Sequence, residues 1–225
     1  MRKMSVGTLR SAYRIGRSLV RHELLLLTCL LRWVARRPHG VGGEGRAYGY
    51  ARGQGAVMFG FGFVCVVETV TMSVLLHDFP MVHQVVLVLD LYTVLIVAGL
   101  HAASVTRPHV LTDTALRVRR FATVDLCVPL GAVASVRREL RTTHEKREGE
   151  LDLAVGSQTT ITVELTEPVA YSTFFGGRRA VRLVRFHADE SDQLVRDIRD
   201  RGEVREAQGV TQGRIALSPL PAELG

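Results

Sequence analysis

The sequence predicts an α+β membrane protein: a two-helix transmembrane hairpin followed by a small β-sheet or barrel that a C-terminal helix caps. Three observations predict it. Two apolar runs, 56–76 and 85–105, contain no Lys or Arg. Residues 107–202 then change to short alternating apolar and polar stretches separated by turn residues. Residues 189–201 close the unit with an apolar stripe at helical spacing, Leu194, Val195 and Ile198.

Each apolar run is long enough to span. At 1.5 Å per residue, a 21-residue helix reaches roughly 31 Å, about the thickness of a bilayer's hydrocarbon core. A soluble core helix of that length normally carries a polar stripe with some basic residues. The connection "HDFPMVHQ" is short, has Pro80 as a turn former and holds no Lys or Arg. The chain is basic, with net charge +7 over 225 residues, and the charge lies outside the runs. Residues 1–54 hold eleven Lys/Arg against Glu23 and Glu44, and Arg107, Arg117, Arg119 and Arg120 follow the second run. Basic flanks stay inside, so both termini are expected in the cytoplasm of a multi-pass cell-membrane protein. No small-residue cleavage pattern follows the first apolar stretch near Leu24, so no secretory signal is expected. Cys29, Cys65 and Cys127 have no metal spacing and are expected as reduced packing thiols.

Residues 1–37 are expected as a basic amphipathic helix, with the helical period over 9–36. Arg10, Arg14, Arg17 and Arg21 recur at spacings of four, three and four, and Arg32 returns to their face. Leu19, Leu26, Leu30 and Trp33 lie opposite. The apolar core at 24–31 is too short to span, so the helix is expected either on an anionic leaflet or packed on the soluble domain. Residues 38–55 are expected as a Gly-rich linker. They contain a literal G-x-G-x-x-G at Gly40, Gly42 and Gly45. A dinucleotide loop requires a strand before it and a helix after it, and neither is expected here.

The third region, 107–202, reads as about seven strands. Leu116 and Val118, then Val124, Leu126 and Val128, then Val133 and Val136 alternate. A polar break at 142–149 precedes "LDLAV", "TTITVELT" and "RRAVRLVRF", with turns expected at Gly156-Ser157, Glu167-Pro168 and Gly176-Gly177. Asp189 is the expected N-cap of the closing helix. Residues 203–225, with Pro219 and Pro221, are expected to be a disordered tail.

Strands followed by one amphipathic helix resemble the pleckstrin-homology (PH)-like fold. The wording "VLTDTALRVRR", "VPLGAVASVRRE" and "VRFHADESDQLVRDIRD" is similar to strands and closing helix of bacterial PH-domain membrane proteins. The resemblance covers about 107–202, and two spans before such a domain is an architecture of that group. It implies a PH-like cytoplasmic domain and no catalytic residues. Some PH-like domains bind lipid headgroups, which makes Arg178, Arg179, Arg182 and Arg185 candidate lipid or partner contacts beside Arg10, Arg14, Arg17 and Arg21. The basic N-terminal helix and the 142–149 insertion depart from the group.

Two acids stand inside the runs. A mid-helix Asp costs about 2.5–3.5 kcal/mol on insertion scales, so Glu68 and Asp90 need a reason. Asp90, Thr93, His101 and Ser104 share one face of the second run; Gly60, Cys65, Glu68 and Thr71 share a side of the first. The acids should differ in depth by roughly 5 Å and share a proton across the helix pair. Glu68, Thr71, Asp90, Thr93 and His101 are therefore the candidate helix-pair or ion site. His77, Asp78 and His83 would stand at its outer mouth. The structural alternative is that the acids orient the helices or an oligomer.

Enzyme motifs fail. "HELLLL" begins like H-E-x-x-H, but Leu26 holds the second ligand position. His109, His144 and His187 share no spacing, and His101 has no second in-membrane His for haem. No catalytic residue, cofactor or metal is expected. The basic residues lack the aromatic interleaving of a single-strand binder, so no nucleic acid is expected. The expected function is a non-enzymatic scaffold or interaction domain at the inner membrane face. Its expected partners are the bilayer, anionic headgroups, a protein and further copies of itself. The alternative is an oligomeric intramembrane proton or ion sensor using Glu68 and Asp90.

Overall fold

The computed structural model describes residues 6–36, 45–145, 147–173 and 177–216. Gly40 and Gly42, the Gly176 turn position, the side chains of Arg10 and Arg14, and 217–225 of the expected tail lie outside the described residues. The chain is α+β, with two four-stranded sheets and four helices among the described residues.

Helix α1 covers Val6–Val34, and strand β1 covers Arg46–Tyr48. A 3-10 turn, Arg52–Gln54, leads into α2, Gly55–Leu75. Helix α3, Pro80–Thr106, begins on Pro80, whose missing N–H costs nothing in a first helical turn. Seven strands follow: β2 His109–Leu111, β3 Ala115–Arg120, β4 Val124–Pro129, β5 Val133–Arg141, β6 Glu150–Leu153, β7 Thr159–Ser172 and β8 Arg178–Phe186. Helix α4 runs Ser191–Ala216.

The first sheet has order β1-β2-β3-β4 and the second β5-β7-β8-β6. Alternation explains their faces: on β3, Leu116 and Val118 point in while Arg117 points out; on β4, Leu126 and Val128 point in while Asp125 and Cys127 point out. These side chains meet Ile161, Val163, Val184 and Phe186 of the second sheet in one core. Leu194, Val195 and Ile198 of α4 close it, and Leu194 is fully buried. Burial of one such side chain stabilises by about 1.5–3 kcal/mol.

Several expected turns and breaks are present. The polar stretch after Arg141 separates β5 from β6. Gly156 (φ 57°) and Ser157 (φ 61°) form a tight turn between paired Val155 and Gln158, both central residues left-handed as a type I′ turn requires. The Glu167-Pro168 position differs. β7 continues through it, and the β7–β8 register shifts between Glu164 and Val169. Proline cannot donate to a ladder, so it sits in a bulge instead of ending the strand.

Three boundaries also differ. The linker expected at 38–55 contains a strand: β1 pairs antiparallel with β2, with Ala47 opposite Val110 and Tyr48 opposite His109. Tyr48 and Tyr50 are completely buried. Aromatic residues spaced among glycines mark a packed edge here, not a spacer. Asp189 does not cap α4. Its N–H donates to the Gly49 carbonyl, and its carboxylate accepts from the Arg52 N–H. The expected tail is helical over 203–216, as α4 continues to Ala216.

Helix α1 docks on α3. Leu26 and Cys29 are buried against Ala102 and Ala103, and a Cβ on Gly99 would stand 3.2 Å from the Leu26 Cβ. Small residues let the two backbones approach. The Tyr92 hydroxyl donates to Glu23 at 2.7 Å, and the Trp33 ring meets His101 edge-on at 5.5 Å. The sequence left open a leaflet surface or the soluble domain; α1 instead packs on α3, and Leu24, Leu27, Leu31 and Val34 stay exposed.

Gly99→Leu would push α1 off α3. In detergent-purified full chain, Cys29 should change from protected to maleimide-reactive, while exposed Cys127 reacts in both proteins. Unchanged protection of Cys29 would refute the docking.

Candidate functional site

The residues before the hairpin and those after it converge at one junction. Tyr50 lies against His109, ring centroids 4.9 Å apart, and the Tyr50 hydroxyl accepts the Phe121 N–H at 2.8 Å. His109 is fixed in one tautomer: Nδ1 accepts the Arg119 N–H at 3.1 Å, so Nε2 carries the proton and donates to the His187 carbonyl at 2.9 Å. Burial, opposed only partly by the bond to His187, lowers the His109 pKa to about 4. Burial likewise pushes the Tyr50 phenol up to about 12. Beside them, the Tyr48 hydroxyl donates to Asp197, which also pairs with Arg46 at 2.8 Å. The Arg201 guanidinium donates to the Leu111 carbonyl at 3.1 Å, so α4 holds both β1 and β2.

Arginines crowd the same junction. Arg107 follows α3 directly; it donates to the Phe121 carbonyl at 2.9 Å and to Asp125 at 3.0 Å. Arg117 grips Asp125 twice, at 2.6 and 3.0 Å, which raises its pKa. Arg119 stands 3.7 Å from the same carboxylate, and burial lowers its pKa. Three guanidiniums thus share Asp125. Arg107 is 5% exposed, and its Nε has no hydrogen-bond partner. A cleft of about 500 Å³ opens here between α1 and the β3–β4 hairpin. Ser18, Arg21 and His22 form one wall; Arg107, Arg117 and Thr123 form the other.

The helix pair is arranged differently from the sequence expectation. Ser73 and His83 are bonded at 2.9 Å, and a Cβ on Gly62 would touch Val97 at 3.8 Å. Asp90 lies midway between His83 and Val97 and is therefore level with 67–68. The expected 5 Å offset closes, but no hydrogen bond joins the two acids. Glu68 is exposed, and one Asp90 oxygen is shielded without a partner. Thr71 and Thr93 donate to their own helix, to the Val67 and Leu89 carbonyls, not across the pair. Cys65 turns inward, while Gly60, Glu68 and Thr71 stay outside. His77 pairs with Asp78 at 2.9 Å on the connecting turn.

The expected basic contacts divide into three. Arg17 and Arg21 are exposed on α1, and Arg178, Arg179 and Arg182 are exposed on β8. Arg185 is not a surface contact: it is buried and pairs with Glu150 at 2.6 Å and Asp152 at 3.4 Å, because β6 lies parallel beside β8. Sequence reasoning missed Tyr50, His109 and Asp125 as a group. The available signal was one acid in "VDLCV" facing "RVRR". Among the described residues, no three His, Cys, Asp or Glu side chains converge as a metal site would need. Comparison with protein-family models, curated proteins and solved structures finds no match.

His109 predicts a pH dependence. The unfolded chain protonates it near 6.5, the fold only near 4. The unfolded state therefore binds the extra proton first, and stability falls as pH drops through that window, by about 3 kcal/mol in total. Thermal unfolding of the purified full chain, followed by circular dichroism between pH 7 and 4, should show this slope. His109→Asn should lower stability at pH 7 and flatten the slope; an unchanged slope would assign it to other groups.

Proposed function

We propose that this chain is a multi-pass cell-membrane protein whose hairpin anchors a non-enzymatic interaction domain at the cytoplasmic face, with both termini inside. One observation carries the reading: β1, before the hairpin, is hydrogen-bonded to β2, immediately after it. Two strands of one sheet share one side of any membrane. A hairpin that crosses the membrane would then also return, which agrees with the basic residues on both its flanks. Arg52–Leu75 and Pro80–Thr106 are long and apolar enough to cross, and their most apolar windows are only 6% and 17% buried. A soluble core helix would hide such a surface.

Support for a PH-like domain is architectural: seven strands after the hairpin form two sheets with a closing helix. Two features depart from a simple meander, the parallel β6–β8 pairing and the strand contributed by β1. The scaffold role rests on a domain whose polar clusters are ion-paired and whose strand β8 carries exposed Arg178, Arg179 and Arg182. A sensor role is favoured by the shielded, unpaired Asp90 oxygen level with Glu68.

Alkaline carbonate should leave the full chain in the membrane. A cysteine placed at Asp78 should react with an impermeant maleimide in intact cells, while Cys127 reacts only after permeabilisation. Extraction by carbonate, or labelling of Cys127 from outside, would overturn the topology. Glu68→Gln with Asp90→Asn separates the two roles: insertion with loss of a pH- or ion-dependent response favours the sensor, and loosened self-association with no such response favours the anchor.

A further inference from the structure

A groove of about 460 Å³ lies among the three helices, within the size range of small-molecule sites. Trp33 of α1 and His101 of α3 stand at one end; Val66 of α2 and Val94 of α3 stand at the other. The stretch of α2 along it, from residue 58 to residue 66, rises about 12 Å. Two small lining residues, Gly62 and Ala98, leave room that larger side chains would fill. None of the described lining residues carries Asp, Glu, Lys or Arg. Apart from the indole N–H of Trp33, His101 brings the only polar side-chain atoms among them. The His101 carbonyl accepts the Ser104 hydroxyl, but no hydrogen bond from the described residues reaches the His101 ring, whose aromatic neighbour is the edge-on Trp33 at 5.5 Å.

These features define an occupant. In the membrane reading above, on which this inference rests, the groove opens to the leaflet interior, and Phe59 on its rim is 79% exposed. The occupant therefore has to dissolve in lipid. It should be uncharged where it meets the groove, since no counter-ion waits there and an unpaired charge is costly in such surroundings. It should offer an acceptor at His101, because an imidazole in any protonation state keeps at least one N–H to donate. Three aromatic side chains in the lining, Trp33, Phe59 and Phe63, suit a planar ring better than a flexible chain. We propose that the groove binds a neutral isoprenoid quinone, with a ring carbonyl on the His101 N–H and the tail leaving past Val66 and Val94 into the bilayer. A phospholipid would bring a charged headgroup that finds no partner in this lining.

Trp33 is the only tryptophan of the chain, so its fluorescence reports directly on the groove. The test titrates the full chain in maltoside micelles with decylubiquinone, using free N-acetyltryptophanamide in the same micelles to correct for light absorption and collisional quenching. Quenching of Trp33 should saturate, and excess phosphatidylcholine or cholesterol should not displace the quinone. His101→Phe keeps an aromatic ring beside Trp33 but removes the donor; it should weaken the apparent affinity about tenfold, as expected for one lost hydrogen bond. Ala98→Phe fills the groove and should abolish saturable quenching. Protected Cys29 in each variant shows that α1 still docks; should Ala98→Phe fail that check, His101→Phe and the competition decide. Quenching no greater than the free-indole control, wild-type affinity in His101→Phe, or displacement by phosphatidylcholine or cholesterol would overturn the proposal. So would a dimer in gel filtration that Ala98→Phe converts to monomer, because a second copy would then fill the groove. Carbonate extraction separates the two levels: release from the membrane sinks both readings, whereas retention without saturable quenching sinks only the groove.

Discussion

The pairing of β1 with β2 organises the molecule. A three-residue strand has little stability of its own, because it satisfies few backbone groups and buries little surface. It persists here because its flanks are fastened: Tyr48 and Tyr50 are fully buried, Asp189 holds Gly49 and Arg52, and α4 holds Arg46 through Asp197. The consequence is topological. Everything from Arg52 to Thr106 becomes an excursion that leaves the first sheet and returns to the neighbouring strand. The domain is therefore built from both sides of the hairpin in sequence, and cutting the chain at 107 would remove an edge strand and two buried tyrosines from it.

The same closure concentrates charge. The end of α3, the β3–β4 hairpin and the middle of α1 come together, and each brings arginine. Asp125 holds the outward Arg117 and the buried Arg107 and Arg119 at once. A carboxylate shared by three guanidiniums ties the end of α3 to the β3–β4 hairpin. The cleft exists only because α1 docks on the small residues Gly99, Ala102 and Ala103. A bulkier face on α3 would hold α1 away and open the hollow to solvent. Packing on the helix side thus shapes the electrostatics on the sheet side.

Local patterns were legible where one period or one turn residue decides the outcome. Alternation located β3 and β4 with their inward Leu116, Val118, Leu126 and Val128, and the stripe Leu194, Val195 and Ile198 located the buried face of α4. Gly156-Ser157 marked a real turn. Other signals pointed elsewhere because a distant partner competed. Asp189 has N-cap chemistry, yet Gly49 and Arg52 take its hydrogen bonds. Arg185 reads as a member of a basic surface strand, yet β6 arrives in parallel and presents Glu150 and Asp152 to it. Glu68 and Asp90 reach one level as helical rise and a short turn allow, but side-chain direction around each helix keeps them unbonded.

The sequence by itself determined the elements: two apolar runs of bilayer length, a basic helix before them, alternating strands and an amphipathic helix after them. These follow from length and periodicity, which are properties of neighbouring residues. The tertiary structure alone decided that a glycine-rich segment supplies a sheet edge, that α1 lies on α3, and that Arg107 at the end of α3 reaches the carboxylate of the β3–β4 hairpin. Those choices depend on which backbone edge, helix groove or carboxylate a distant residue meets, and no local pattern encodes that meeting.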